Sequence, residues 1–246
     1  MLNVTPLAGC GVQKHFVSVP SGAIIHFRDE DAGINSWANM GSGGATYNAT
    51  KAGTPAFGRG IAGMNGLSFN DNAVDYFTLA SEYVLPSASM IGLVMAVKDP
   101  GSGVPASDYF VGIGQHSSTN GGFSYFGGWV DHYAADLHMQ LGGDKGGHAD
   151  AASADIASNT LFIARMIVVR TDATHATFYF NGTHYADVSG TLSGTVRLGR
   201  LASSYGRSSS MNASGMTLHE AIVYPDLSVS WSDLDNYLKS KFWMSS

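Results

Sequence analysis

The chain has 246 residues, of which 44% are hydrophobic and only 13% charged, with a formal net charge of −6 at pH 7 and one cysteine. So low a charged fraction, about half the ~25% of an ordinary soluble domain, together with the lack of any lysine or arginine run, excludes the basic footprint that nucleic acids and anionic membranes require. Cys10 has no partner within the chain, which predicts a free thiol and no internal disulfide.

In chain order, residues 1 to about 15 carry a mixed, irregular pattern that predicts an extended arm or first edge strand, leaving 16–246 as one domain. The run from Met1 to Cys10 lacks the basic start and apolar core of a secretory signal. No stretch reaches the roughly 18 apolar residues of a membrane span, so the expectation is a chain that folds in the compartment that made it. Glycine, serine and asparagine then recur between short apolar runs, without a linker or an internal repeat. That rhythm predicts many strands joined by turns in a single all-β sandwich.

Asp29, Glu30 and Asp31 are consecutive, so they cannot share one strand face, and Ala32-Gly33 after them predicts a solvated turn. Gly112-Ile113-Gly114 reads as a glycine pair at a strand end. Leu161 to Arg170 is a nearly continuous apolar run rich in β-branched residues, the pattern of a central strand covered on both faces. Asn181-Gly182, between Ala176–Phe180 and Thr183–Val188, predicts a type I′ hairpin turn, because both positions must adopt positive φ. Thr195 to Arg200 alternates, placing Val196 and Leu198 inward and Arg197 and Arg200 near solvent. Leu218 to Tyr224 is a further strand, stopped by Pro225, which has no amide to give a ladder. Ser230 caps the one helical segment with Asp233 three residues on, and Leu234, Tyr237, Leu238 and Phe242 form its apolar stripe.

The order of these segments resembles the concanavalin A-like, laminin-G-like jelly roll: the strand ending at Arg170, the hairpin closing in Phe180-Asn181-Gly182, Val196–Arg200, Leu218–Tyr224 and the terminal Leu234–Trp243. Ile25–Asp29, Trp37–Asn39 and Gly66–Phe77 are similar to the opening strands of that family. The resemblance covers roughly residues 20 to 243. It implies a β-sandwich with a short C-terminal helix, and it leaves function open, because lectins, glycanases, adhesion modules and virion domains share this fold.

Enzymes of this fold set two or three carboxylates on alternate residues of one strand, and no strand here offers them. Glu220 stands between Leu218 and Ile222 and reads as an isolated polar strand residue. Neither a Gly-x-Ser-x-Gly elbow nor a His-Glu-x-x-His motif occurs. His132 and His138 with Asp131 and Asp136 have a spacing that a metal would accept, and Asp71, Asp75 and Asp131 are loop acids of the sort calcium takes. Chance placement of polar loop residues explains the histidine set, and the acid-dense loop of a strong calcium site is absent, so no cofactor is expected, with calcium the one that the loops would admit.

Carbohydrate recognition needs an aromatic face beside groups that bind hydroxyls, and two segments offer them. The first is Tyr125 to Tyr133, with Trp129, Asp131, His132 and Tyr133 around Gly127-Gly128; the second contains Tyr205 and Arg207. Asn48, Asn181 and Asn212 begin glycosylation sequons, read as coincidences of composition. The function expected is that of a non-catalytic bacteriophage virion protein, a head decoration, collar or tail-fibre component on the virion surface. Its expected partners are other virion proteins, copies of itself and host-surface glycans. His15, Phe16 and Val17 are expected to serve assembly by adding a strand to a partner's edge. A glycan-cleaving enzyme of the same fold and a stand-alone carbohydrate-binding module are the alternatives.

Overall fold

The structure, a computed structural model, describes residues 17–33, 35–59, 65–68, 75–98, 107–115, 124–131, 136–143, 148–155, 161–189, 192, 194–202 and 217–241. In chain order its strands are β1 (Ile25–Arg28), β2 (Ser36–Trp37), β3 (Ala49–Ala52), β4 (Ala56–Arg59), β5 (Asn65–Ser68), β6 (Tyr76–Val84), β7 (Ser89–Lys98) and β8 (Ser107–Gly114). There follow β9 (Tyr125–Asp131), β10 (Asp136–Gly142), β11 (His148–Asp155), β12 (Leu161–Arg170), β13 (His175–Phe180), β14 (Thr183–Ser189), β15 (Arg197–Leu201) and β16 (Thr217–Tyr224), and then helix α1 (Trp231–Lys241). They form two antiparallel sheets. The first runs β14-β13-β12-β7-β16-β5-β4, with β1 also paired to β16; the second runs β11-β10-β9-β8-β15-β6-β3-β2.

Alternate residues of each strand point to opposite faces, and the apolar set of both sheets meets between them. Ile25 and Phe27 of β1 and Ile91, Leu93 and Met95 of β7 face Phe77, Leu79, Phe126, Met139 and Leu198 of the second sheet. Trp37 joins the layers, its ring 5.4 Å from Phe27 and 6.1 Å from Phe77 by centroid, with its indole N–H donating to the Arg28 carbonyl at 2.7 Å.

The first sheet is also covered on its outer face, by α1. Leu234, Tyr237 and Leu238 of the helix pack with Met90, Val94, Ile167, Ile222 and Tyr224 in a second, smaller core. This explains the sequence of β12: Ala164, Met166 and Val168 face the inter-sheet core, whereas Ile163, Ile167 and Val169 face the helix side. β16 is buried along its whole length for the same reason, and a bulge between Leu218 and Glu220 resets which residues face the helix.

The turn at Asn181-Gly182 has φ of 49° and 83°, as a type I′ hairpin demands. Ser230 caps α1 as its spacing predicts: its Oγ accepts the Asp233 amide at 3.1 Å and its hydroxyl donates to Asp233 Oδ2 at 2.7 Å. Gly41 is required for packing, since a Cβ there would lie 2.6 Å from backbone atoms of Ile24. Beside it Asn39 ties the following loop to β1, accepting the amides of His26 and Gly41 and donating to the carbonyls of Ile24 and Gly44. Val17 to Pro20 are in no ladder within the chain. The Val17 amide donates to Ser240 Oγ at 3.3 Å and the Pro20 carbonyl accepts the Tyr224 hydroxyl at 2.8 Å, so this segment lies along the helix side of the first sheet.

Candidate functional site

The densest polar constellation among the described residues lies where α1 crosses β16 and β1. Glu220 is fully buried, and its Oε1 accepts the Tyr237 hydroxyl at 2.7 Å and lies 2.7 Å from His26 Nε2. Its Oε2 lies 2.8 Å from the Lys241 ammonium, which also reaches Glu30 Oε2 at 2.7 Å and Asp29 Oδ1 at 3.2 Å. One lysine at the helix C-terminus is thus held by three carboxylates from two other elements, a favourable end for a cation on the helix dipole. The expectations of an isolated Glu220 and a solvated Asp29-Glu30-Asp31 turn are corrected here. The three acids form a short 3₁₀ helix; Asp31 pairs locally with Arg28, but the cation that Asp29 and Glu30 share is Lys241 of α1, more than 200 positions away and beyond the reach of any local pattern.

The electrostatics follow from crowding. Burial and the neighbouring Glu30 push Asp29 up to about 7. Burial would raise Glu30 as well, but its hydrogen bonds with Asp29 and Lys241 outweigh that and bring it down to about 2. Burial and the adjacent Glu220 carboxylate drive the Tyr237 phenol well above its ordinary range. Burial opposes the charge of Lys241, yet its carboxylate partners raise it above the ordinary lysine value. The folded chain therefore keeps a proton on Asp29 that the unfolded chain releases above about 3.8. Each step up in pH between about 4 and about 7 then favours unfolding through this group. Asp29→Asn, which mimics the protonated acid, should flatten that slope in thermal melts recorded across the window; an unchanged slope would locate the titration elsewhere.

A second ion pair fastens the other side of the helix. Arg165 Nε donates to Asp235 Oδ1 at 2.9 Å, both side chains at least nine-tenths buried. The Asn181 side chain accepts the Arg165 amide at 2.9 Å, and a Cβ on Gly182 would lie 2.7 Å from Asp235 Oδ2. At its start, Trp231 stacks on Tyr179 of β13, centroids 3.9 Å apart. These contacts make α1 an integral part of the first sheet, and they commit its acids to structure.

Of the residues expected to carry glycan binding, the two described ones, Trp129 and Asp131, fall on the other sheet. Trp129 and Asp131 lie in β9, where the ladder sets Trp129 between Tyr109 of β8 and His138 of β10, and Asp131 between Ser107 and Asp136. β11 extends that second row with Asp155, so three aspartates align across neighbouring strands. Trp129 has the opposite parity to Phe126, a residue of the inter-sheet core. On the same ladder Tyr125 and Gln140 are buried. His132, Tyr133, Tyr205, Arg207, His15 and Phe16 lie outside the described residues, as do Asp71 and Asn212. Val17 is exposed.

Asp75 is fully buried, and its Oδ1 accepts the Thr54 amide at 2.7 Å, a structural use of a residue considered for calcium. Among the described residues no three His, Cys, Asp or Glu side chains converge to hold a metal ion. Two sequon asparagines spend their amides internally: Asn48 Oδ1 accepts the Asn39 amide at 2.9 Å, and Asn181 bonds Arg165.

Compared by sequence, the chain matches no family model and no curated protein. Solved structures share its architecture. The binding domain of Paraclostridial Mosquitocidal Protein 1 superposes with a TM-score of 0.61 at 10% identity, over 90% of this chain and 52% of the other. The botulinum neurotoxin serotype D binding domain gives 0.58 at 9% identity, over 89% and 51%. Trypanosoma rangeli sialidase in complex with sialic acid gives 0.58 at 13%, over 99% and 36%. The chain therefore spans about half the length of the toxin domains and about a third of the sialidase. At such identities the likeness is one of fold, a two-sheet β-sandwich.

Proposed function

We propose that this protein is a non-catalytic, lectin-like binding domain that contacts surface glycans. The observation that carries the reading is the use of its acids: Glu220, Asp29 and Glu30 surround Lys241, and Asp235 holds Arg165, so these carboxylates fasten a helix and are not set across an open groove. Most glycosidases, though not those such as sialidases that use a tyrosine nucleophile, set two carboxyl groups roughly 5–10 Å apart on either side of the sugar. The fold is shared by binding domains of toxins and by a sialidase, so the likeness is compatible with recognition and the choice against turnover rests on the acids.

On this reading one glycan contact lies at the end of β9, with Trp129, Asp131, His132 and Tyr133, and Tyr205 and Arg207 belong to the same class of contact. Trp129→Ala with Tyr133→Ala should lower affinity for an immobilised oligosaccharide panel by about tenfold or more, the loss expected when aromatic anchors leave a binding face. Undiminished binding by the double variant would remove this location, and release of reducing sugar from the panel would overturn the non-catalytic assignment.

In its finer form the proposal sets the domain on the surface of a bacteriophage particle, as a head decoration, collar or tail-fibre component among other virion proteins and copies of itself. The weakly charged, turn-rich composition supports this setting. Deleting residues 1–15 should abolish incorporation into particles while the sandwich stays folded; particles that still carry the truncated protein would refute it.

A further inference from the structure

The β13–β14 hairpin divides its residues sharply between two faces. Ala176, Phe178 and Phe180 of β13 and Tyr185, Ala186 and Val188 of β14 belong to the inter-sheet core. The residues of opposite parity pair across the ladder as His175 with Ser189, Thr177 with Asp187, and Tyr179 with His184. An outward face at the edge of a sheet is ordinarily a scatter of solvated side chains. Here a cavity of about 390 Å³ opens against it, lined by Thr171, His175, Thr177, Asp187 and Ser189 among others, a volume within the range of small-molecule sites.

The polar groups around the cavity are held in place. Asp172 accepts the amides of Thr174 and His175 at 2.7 and 2.9 Å, and its other oxygen lies 2.7 Å from His175 Nδ1, fixing the imidazole from one side. Asp187 accepts the Thr177 hydroxyl at 2.7 Å on Oδ1 and lies 3.2 Å from His184 Nε2 on Oδ2. Both oxygens of Asp187 keep acceptor capacity beyond those bonds, and each hydroxyl can both give and take a hydrogen bond. Thr177 and His184 hold Asp187 below the usual carboxylate range, and its neighbour Asp172 is brought down to about 2 by the amides, hydroxyl and imidazole it accepts. Asp187 in the lining, with Asp172 behind His175, disfavours anionic ligands. Next along the same face, Tyr179 lies with its ring 5.8 Å from that of His184 and stacked on Trp231.

We propose that this face is a second saccharide site, in which Asp187, Thr177, His175 and Ser189 bind the hydroxyls of a neutral sugar that extends past His184 toward Tyr179. The inference rests on the glycan-binding reading above and adds a contact on the opposite sheet from Trp129. Neutral hexoses fit better than sialylated or phosphorylated sugars because the fixed charge is negative and the donors and acceptors match paired hydroxyls.

The test is a titration of ¹⁵N-labelled protein with lactose, maltose and cellobiose, followed by amide shifts, beside binding to a panel of neutral and sialylated oligosaccharides. Shifts should gather at His175, Thr177, Asp187 and Ser189. Asp187→Ala and Thr177→Val should each weaken that response by about tenfold or more, the cost of losing a charge-assisted hydrogen bond. Both side chains are exposed or half-buried, so melting temperatures should stay close to the parent's. Shifts confined to the end of β9, or binding to sialylated oligosaccharides alone, would overturn the hairpin site and leave the glycan-binding reading standing. No binding to any sugar would overturn both.

Discussion

Glu220→Ala loosens α1 from the first sheet and costs the fold about 3–5 kcal/mol, the usual penalty for removing one partner of a buried ion pair. The loss does not come from the carboxylate alone. Without it the Tyr237 hydroxyl and His26 Nε2 lose their shared acceptor inside the protein, and Lys241 is left with Glu30 and Asp29 at the margin. Glu220→Gln keeps an acceptor for Tyr237 while setting an amide NH2 against Lys241 in place of the ionic contact, so its cost should be smaller than that of alanine but not negligible. Urea unfolding followed by far-ultraviolet circular dichroism measures the loss. The stacked Trp231–Tyr179 pair offers a local probe, because its near-ultraviolet signal should fade first if the helix lifts. An alanine variant within 1 kcal/mol of the parent would mean that the second core holds the helix unaided.

Trp37→Ala should cost a similar amount, about 3–5 kcal/mol, for a different reason. β2 is only two residues long and stands at the end of the second sheet, yet Trp37 is fully buried and touches aromatic rings from both sheets. Truncation leaves a void that the short strand cannot fill, and it strips the Arg28 carbonyl of its indole donor. Trp37→Phe retains most of the apolar volume and isolates the hydrogen bond, with an expected loss nearer 1 kcal/mol. Equal destabilisation by both substitutions would show that the indole N–H, not the volume, is what this position supplies.

Local chemistry made much of the architecture readable from the sequence. The Asn181-Gly182 turn, the Ser230 cap, the two-faced β12 and the stop at Pro225 all depend on residues within a few positions of one another, and period-two alternation found Val196 and Leu198. The polar cluster did not have that advantage. Glu220 is read correctly as lacking a carboxylate neighbour on its strand, but its partners His26 and Lys241 come from β1 and the end of α1, and only the folded topology brings them together. The hairpin site was half visible. His175, Thr177 and Tyr179 alternate along β13, as Asp187 and Ser189 do along β14, and that outward parity could have been read beside the turn; His184 joins them only through a register shift in the ladder, which the sequence does not announce, nor does it announce the cavity beside His175, Thr177, Asp187 and Ser189.

The turn that ends β13 also sets a limit on how long the protein keeps its as-made chemistry. Asn-Gly is the dipeptide in which a side-chain amide most readily loses ammonia, because the unhindered glycine nitrogen can attack the asparagine carbonyl carbon and close a succinimide that water opens to aspartate or isoaspartate. At Asn181 the oxygen that takes the Arg165 amide would survive that change. The amide nitrogen that faces the Ile163 carbonyl at 3.4 Å would become a second oxygen, turning a donor into a repelling charge beside the backbone that positions Arg165 and, through it, Asp235. Isoaspartate would in addition lengthen the main chain inside a turn that has room for two residues. Ageing of the protein at this dipeptide would thus act on the joint between hairpin and helix, and an acidic charge variant that maps to Asn181, rather than to the Asn65-Gly66 or Asn120-Gly121 dipeptide, would mark molecules in which that joint has started to give way.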